Sequence, residues 1–247
     1  MIIIFPMAGL SSRFKSAGYN QPKYMLEINK DYDVFDMVVE PFLKYRDEHT
    51  FVFVCRNING TLDFLSNKIK SKNLPNVKII ELINPTSGQA ETVNIALNNI
   101  NSDEPILIFN IDTFHNNFEL INFNDGEYER CDGVMEVFKD NGSNWSFASV
   151  RGKYVIKTAE KDPISNLASN GLYYFRSRKI YQNAYKKYCS KKSKGMTKGE
   201  RYIAPIYNQI VEDGGIVKIK KISKSDLIFC GVPEEYIDVV NYFSLNT

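Results

Sequence analysis

Read for apolar and polar positions alone, the first half of the chain alternates two rhythms. Short runs rich in Val, Ile and Phe, at residues 2–7, 51–55, 77–82 and 105–111, have the continuous apolar character of strands buried on both faces. Between them, apolar residues recur at helical spacing: Phe35, Val38, Val39, Phe42 and Leu43; Leu62, Leu65 and Ile69; Val93, Ala96, Leu97 and Ile100. Strand and helix in alternation predict βαβ units with right-handed crossovers and a largely parallel sheet. Pro41 falls inside the first helical stripe, where a missing donor and a ring clash cost about 3 kcal/mol, so that helix is expected to kink or restart there. Beyond Asp112 the rhythm changes. Strand patterns at 133–138, 145–150, 154–158 and 171–175 follow one another without a long helix, which predicts a mixed sheet. Two helical stripes come next, Ile180/Ala184/Tyr188 and Ile203/Ile206/Tyr207/Ile210, then a strand at 216–222 and a last helix through Tyr236, Val240 and Phe243. The basic, glycine-containing stretch "SKKSKGMTKGE" reads as a solvated connection, with a substrate lid as the competing role.

Composition narrows the function classes. With 247 residues, 43% of them hydrophobic, the chain can bury a sizeable core. Thirty-one Lys and Arg against 29 Asp and Glu leave a formal charge of +2, without the basic bias of a nucleic-acid binder. Cys55, Cys131, Cys189 and Cys230 are far apart and form no Cys-x-x-Cys pair, which points away from a zinc site or a disulfide framework and toward a cytoplasmic protein. The apolar opening has no basic leader and is cut by Pro6 and Gly9, so it reads as a buried first strand rather than a signal or membrane segment.

The stretch "MAGLSSRF" occupies the first strand-to-helix turn, the usual phosphate cradle of an open α/β sheet. Gly9 lets backbone approach a ligand, and Ser11, Ser12 and the neighbouring amides can donate to phosphate oxygens. The Arg13 guanidinium can clamp two such oxygens, and Lys23, held behind Pro22, supplies a second cation. A glycine turn followed by a surface arginine is common, so the turn alone decides little.

Four further motifs appear in order: "TSGQAETV", "FNID" ending at Asp112, "EKDPISNLASNGLYYF" from Glu160, and "GVPEEY" before the last helix. With Ala8, Gly9, Ser11, Arg13, Pro22 and Lys23, the chain resembles the nucleotidyltransferases that make sugar nucleotides and related activated compounds, whose first turn typically reads Ala-Gly-x-Gly-x-Arg before a Pro-Lys pair. The resemblance runs from Ile2 to about Tyr236, and Ser11 stands in place of the second glycine. It implies an α/β, Rossmann-like, mixed but mainly parallel sheet flanked by helices, forming a single domain over 1–247. The nucleotide half would be about 1–112 and the acceptor half about 113–247.

The resemblance also implies roles. Ala8, Gly9, Leu10, Ser11 and Ser12, with Gly88, Gln89 and Ala90, would bind the nucleotide, and Arg13, Lys23, Asp112 and Lys161 would be catalytic. Asp112 would bind Mg²⁺, and Glu160, Lys161, Gly171, Glu200 and Tyr202 would bind the acceptor. Each has a plainer alternative: a cap or turn for Asp112, an αβ turn for residues 88–90, a surface ion pair for Glu160 and Lys161, a bulge for Gly171, helix packing around residue 203. His115 fits a turn or core role better than a metal role. The second metal-binding aspartate of many relatives falls on Phe229, and Asp226 reaches that slot only if the strand register shifts. The implied partners are a nucleoside triphosphate, with CTP the leading choice, and a phosphorylated small molecule or sugar 1-phosphate for capsule or surface glycan. Nucleic acid and membrane are not implied, and a homo-oligomer stays open. A glycosyltransferase of related fold, reading Asn110-Ile111-Asp112 as its strand-end motif, and a catalytically weak nucleotide-binding protein are the competing classes.

Overall fold

The computed structural model describes residues 1–124, 126–191 and 199–245, so most of the basic loop anticipated at 190–200 lies outside the described residues. Its elements begin with β1 (Ile2–Pro6), α1 (Ser12–Ser16), α2 (Val34–Val39), β2 (Thr50–Cys55), α3 (Thr61–Ser71) and β3 (Val77–Glu81). Next come α4 (Gln89–Asn98), β4 (Ile106–Phe109), β5 (Thr113–His115), β6 (Gly133–Lys139), β7 (Ser146–Arg151) and β8 (Tyr154–Glu160). The chain ends with β9 (Leu167–Phe175), α5 (Arg178–Ser190), α6 (Ile206–Glu212), β10 (Val217–Lys221), β11 (Leu227–Phe229) and α7 (Pro233–Leu245). They fall into two compact units, the first comprising Met1–Ile4, Thr86–Phe109 and Glu119–Lys224, the second Phe5–Pro85, Asn110–Phe118 and Ser225–Thr247. Among the described residues no helix is long and apolar enough to cross a membrane.

In the first unit the strand order is β1-β4-β9-β6-β10-β8-β7, and β7 also pairs with β9 through Phe147 and Ala168, so five strands close into a ring. The expected mixed sheet is present, but its mainly parallel character does not hold in this unit. Among the described residues of this unit, β1/β4 and β6/β10 pair in parallel. Strand β9 lies between β4 and β6 and runs against both, and the pairings β7/β8 and β8/β10 are antiparallel as well. The physical reason is the absence of a helix between β6 and β9. Without one there is no crossover to return the chain in parallel, and β7 and β8 are joined by a two-residue turn at Gly152, φ +64°. The register between β6 and β9 shifts at Met135 and Val137, opposite Gly171, whose φ of +86° lets the strand bulge and continue. Strand β9 therefore starts four residues earlier than its apolar pattern after Gly171 suggests. Helix α6 starts at Ile206 rather than Ile203, with Pro205 in the capping position.

In the second unit β2 and β3 pair in parallel, and β11 pairs with β5 antiparallel. Phe51 to Cys55 are fully buried, as the unbroken apolar run requires. Asp33 and Asp36 form a reciprocal capping box at the start of α2, at 2.9 and 3.1 Å. Helix α2 ends at Val39, and a 3₁₀ turn over Glu40–Tyr45 takes up the chain with Pro41 near its start, the restart anticipated there. Lys68 of α3 pairs with Asp33 at 2.6 Å and Asp36 at 2.5 Å, and Lys72 reaches Asp36 at 3.0 Å.

Candidate active site

The second unit carries the glycine turn. Met7 N donates to Val54 O at 2.8 Å, holding the chain beside β2 until Ala8 turns away. No atom lies within 4 Å of where a Gly9 Cβ would stand, so one side of the turn is open. Ser11, at the family's second glycine position, has φ +48° and ψ +36°, so the serine keeps the left-handed backbone that glycine adopts freely. Helix α1 starts at Ser12, with Leu10 and Arg13 exposed. A pocket at this turn is lined by Gly9, Ser11, Lys15, Tyr24, Arg56 and Asn59 among others. Arg56 donates from Nε to Ala8 O at 3.2 Å and so pins the turn from below. The motif reading passes over Lys15 and Arg56. The available signal for Arg56 was its place at the carboxyl end of β2, where ligands of open α/β sheets gather.

Lys23 opens a 3₁₀ turn behind Pro22, and its ammonium pairs with Asp112 Oδ2, both side chains about four-fifths buried. Asp112 precedes β5, and its carbonyl accepts from Cys230 N at 2.8 Å. The next residue, Gly231, matters for its size: a Cβ there would lie 3.2 Å from Asp112 Oδ2 and 3.6 Å from Glu235 Oε2. Glu235 is held by the amides of Gly231 at 2.8 Å and Val232 at 3.3 Å, which fixes the "GVPEEY" turn at the start of α7. Burial, with the Asp112 carboxylate second, pushes the Cys230 thiol up to about 12, so it stays protonated.

The β5/β11 ladder is unshifted, with Phe229 opposite Thr113, Ile228 opposite Phe114 and Leu227 opposite His115. Phe229 therefore keeps the slot next to Asp112. Asp226 lies at the other end of the ladder, its carbonyl accepting from Asn116 N at 2.8 Å and its carboxylate from Asn117 Nδ2 at 2.7 Å. His115 is buried and meets Phe118 edge-on at 5.6 Å, a core position. Among the described residues no three or more His, Cys, Asp or Glu side chains cluster as a metal cage.

The first unit gathers the other candidates in two places. Gly88 has φ +133° and precedes α4, and the backbone of Arg201 lies where its Cβ would be. Arg201 N donates to Ser87 O at 2.7 Å and Ala90 N to Arg201 O at 3.0 Å, so the amide of buried Ala90 is engaged within the protein while Gln89 stays half-exposed. Ser87 donates its hydroxyl to Glu91 at 2.6 Å and its amide at 2.5 Å, holding that carboxyl below the usual range.

The second place is the end of β8. Lys161, in the left-handed region at φ +54°, donates from Nζ to Tyr202 OH at 2.7 Å, and Tyr202 in turn donates to Glu200. The "EKD" and "GERY" segments are thereby brought together. Glu160 accepts from the Ser146 hydroxyl. Burial pushes the Glu160 carboxyl up, while Ser146 and Lys161 pull it back. Gly171 sits buried within β9.

No protein-family model and no curated protein matches the chain. Solved structures do. The nucleoside-diphosphate-sugar pyrophosphorylase from Vibrio cholerae RC9 is 41% identical over 98% of this chain and 100% of that one, with a TM-score of 0.89. A UDP-glucose pyrophosphorylase complexed with UDP-glucose, 17% identical over 100% and 99% of the two chains, has a TM-score of 0.75. The inositol-1-phosphate CTP transferase from T. maritima, 14% identical over 97% and 94%, has a TM-score of 0.67. The last two share the fold. The first shares both sequence and fold along nearly the whole length, and with it the chain belongs to the nucleotidyltransferase family.

Proposed function

We propose that the protein transfers a nucleotidyl group from a nucleoside triphosphate to a phosphorylated small molecule, residues 1–247 acting as one domain. A phosphate oxygen of the acceptor attacks the α-phosphorus. The new P–O bond forms as the bond to the bridging oxygen breaks, and pyrophosphate leaves with the electron pair. No protein nucleophile is needed, so catalysis is alignment plus neutralisation of charge. The observation that supports this most is the Lys23–Asp112 ion pair, which sets a cation and a hard oxygen donor in the same unit as the open Gly9 turn.

In this reading Ala8 to Ser12 cradle the triphosphate and Arg13 holds its outer phosphates. Lys23 moves its charge from Asp112 to the reacting phosphate. Gly88, Gln89 and Ala90 attend the base. Glu160, Gly171, Glu200 and Tyr202 attend the acceptor, with Lys161 on its phosphate. Mg²⁺ suits Asp112, since magnesium is commonly held by one or two carboxylates plus substrate phosphates, and among the described residues Asp112 joins no cluster of three or more metal-binding side chains. When bound, the ion would neutralise charge on the triphosphate.

We take cytosine as the base and a sugar 1-phosphate or similar precursor of capsule or surface glycan as the acceptor. The relatives that support this are a nucleoside-diphosphate-sugar pyrophosphorylase and a CTP transferase that shares the fold. The test is a screen of ATP, CTP, GTP and UTP against glucose 1-phosphate, inositol 1-phosphate and phosphocholine with Mg²⁺, reading pyrophosphate. Fastest release with CTP and a sugar 1-phosphate is expected. Nucleoside diphosphate released from a nucleotide-sugar would instead make the protein a glycosyltransferase, and nucleotide binding without turnover would make it a binding protein.

A further inference from the structure

Ser146 opens β7 directly opposite Glu160, the last residue of β8. Its hydroxyl donates to Glu160 Oε2, and its oxygen accepts from the Tyr173 hydroxyl at 3.3 Å. A hydroxyl carries one proton. With Ser146's proton on Glu160, the chain Tyr173 to Ser146 to Glu160 runs in one direction and ends on one carboxylate oxygen. Ser146 and Tyr173 are 9% and 4% exposed, so water is a poor substitute partner for either. Glu160 Oε1 has no donor among the described residues. The neighbouring carbonyl, Trp145 O, accepts from Lys161 N at 2.8 Å, so residues 145 and 146 between them fix both members of the Glu160–Lys161 pair.

We propose that Ser146 and Tyr173 are positioning residues for the acceptor. They lock one oxygen of Glu160 and leave Oε1 to accept a hydroxyl from a phosphorylated sugar or polyol. This rests on the reading of Glu160 as an acceptor ligand. The other charged or titratable groups that bear on Glu160 are Lys161 beside it, Glu200, Tyr173 of β9 and Tyr188 of α5. Ser146 is the hydrogen-bond donor among them, so its loss removes a bond that favours the charged form and raises the carboxyl's midpoint.

The experiment compares Ser146→Ala, Tyr173→Phe, Glu160→Gln and the Ser146→Ala/Glu160→Gln double variant in the full chain. CTP and glucose 1-phosphate are the probe pair, or whichever pair of the screen releases pyrophosphate fastest. Ser146→Ala is expected to raise the acceptor KM about tenfold and leave the triphosphate KM unchanged, with Tyr173→Phe moving it less in the same direction. In the Glu160→Gln background Ser146→Ala should add nothing, because with the amide oxygen on Ser146 the group facing the acceptor is an NH₂ that cannot accept its hydroxyl. Without any substrate, carboxyl ¹³C titration should place the Glu160 midpoint about one pH unit higher in Ser146→Ala, a tenfold change in its ionisation constant. Tyr173→Phe, which removes a single hydroxyl, carries the test if Ser146→Ala does not fold. An unchanged Glu160 midpoint, equal rises in both KM values, or additive effects in the double variant would overturn the proposal. Full activity of Glu160→Gln would overturn the acceptor role of Glu160 itself.

Discussion

Two glycines in this chain look alike in the motifs and should behave in opposite ways when each gains one methyl group. At Gly88, φ is +133°, and an added Cβ would lie 2.5 Å from Arg201 O and 2.7 Å from Arg201 N. Backbone atoms cannot rotate out of the way, so the segment around Arg201 must shift. The shift sacrifices the 2.7 Å bond from Arg201 N to Ser87 O and the 3.0 Å bond from Ala90 N to Arg201 O, each worth about 1 kcal/mol net. Holding an L-residue in that backbone region adds about 2 kcal/mol. Gly88→Ala should therefore cost about 4 kcal/mol, which for a chain of this size lowers Tm by roughly 8–16 °C. Glu200 and Tyr202 flank Arg201, so the Lys161–Tyr202 bond should loosen too and the acceptor KM rise. At Gly9 a Cβ meets nothing within 4 Å, and φ is not in the left-handed region. Gly9→Ala should leave Tm within about 1 °C on that account, while its methyl group stands on the open side and weakens triphosphate binding. Scanning calorimetry and calorimetric titration with CTP measure both halves. A Gly88→Ala melt within 2 °C of the parent, or an equal loss of stability in Gly9→Ala, would refute the geometry behind the contrast.

Arg13→Ala and Lys23→Ala should each cut turnover on the order of 10²-fold, the scale for losing one preorganised charge-stabilising group, with circular dichroism unchanged; activity near the parent in both would remove the clamp. Asp112→Asn should weaken Mg²⁺ activation in a metal titration, because an amide keeps oxygen coordination but loses charge. Mg²⁺ should bind weakly to the free protein and tightly beside CTP, with Asp226→Ala nearly silent because that carboxylate sits at the far end of the β5/β11 ladder on Asn117; calorimetry and kinetics check the two statements. Lys68→Ala should destabilise the fold by about 3 kcal/mol at pH 7.5, leaving the buried carboxylates Asp33 and Asp36 without their shared cation. Burial already lifts Asp33 to about 6, above its ordinary 3.8. A folded-state value above the unfolded one means stability is regained as pH falls through it, so the deficit in urea melts should shrink by pH 5.5. A pH-independent deficit would contradict this.

The apolar runs of β1, β2 and β4 were legible because a strand buried on both faces must be apolar at every position, and Pro41 announced the helix restart through its own covalent geometry. Strands β5 and β11 were not legible, since three residues are too few to show a period. Nor was the direction of β9. Its residues say that it is buried, but which strands it lies between, and which way it runs, depends on partners about 30 to 70 residues away. In the site, Lys23 and Asp112 carried motif signatures and were found together although 89 residues apart. Ser146 and Arg56 carried none, and Tyr173 lay inside the motif from Glu160 without being singled out. A serine in a strand, a tyrosine in a core and an arginine after a strand are ordinary until their neighbours are known.

The pairing of β11 with β5 also has a meaning in time. Asp112 is held by a backbone bond from Cys230, and the strand beside it waits for residues 227–229. A ribosome that has extruded only the first two hundred residues has released every other proposed triphosphate ligand, but not the segment that fixes Asp112. Closing that loop of more than a hundred residues must wait until residue 230 has left the ribosome. The carboxylate proposed to hold the metal is therefore fixed only once residues 227–230 are available, and under the proposed function a shorter nascent chain would not turn over triphosphate.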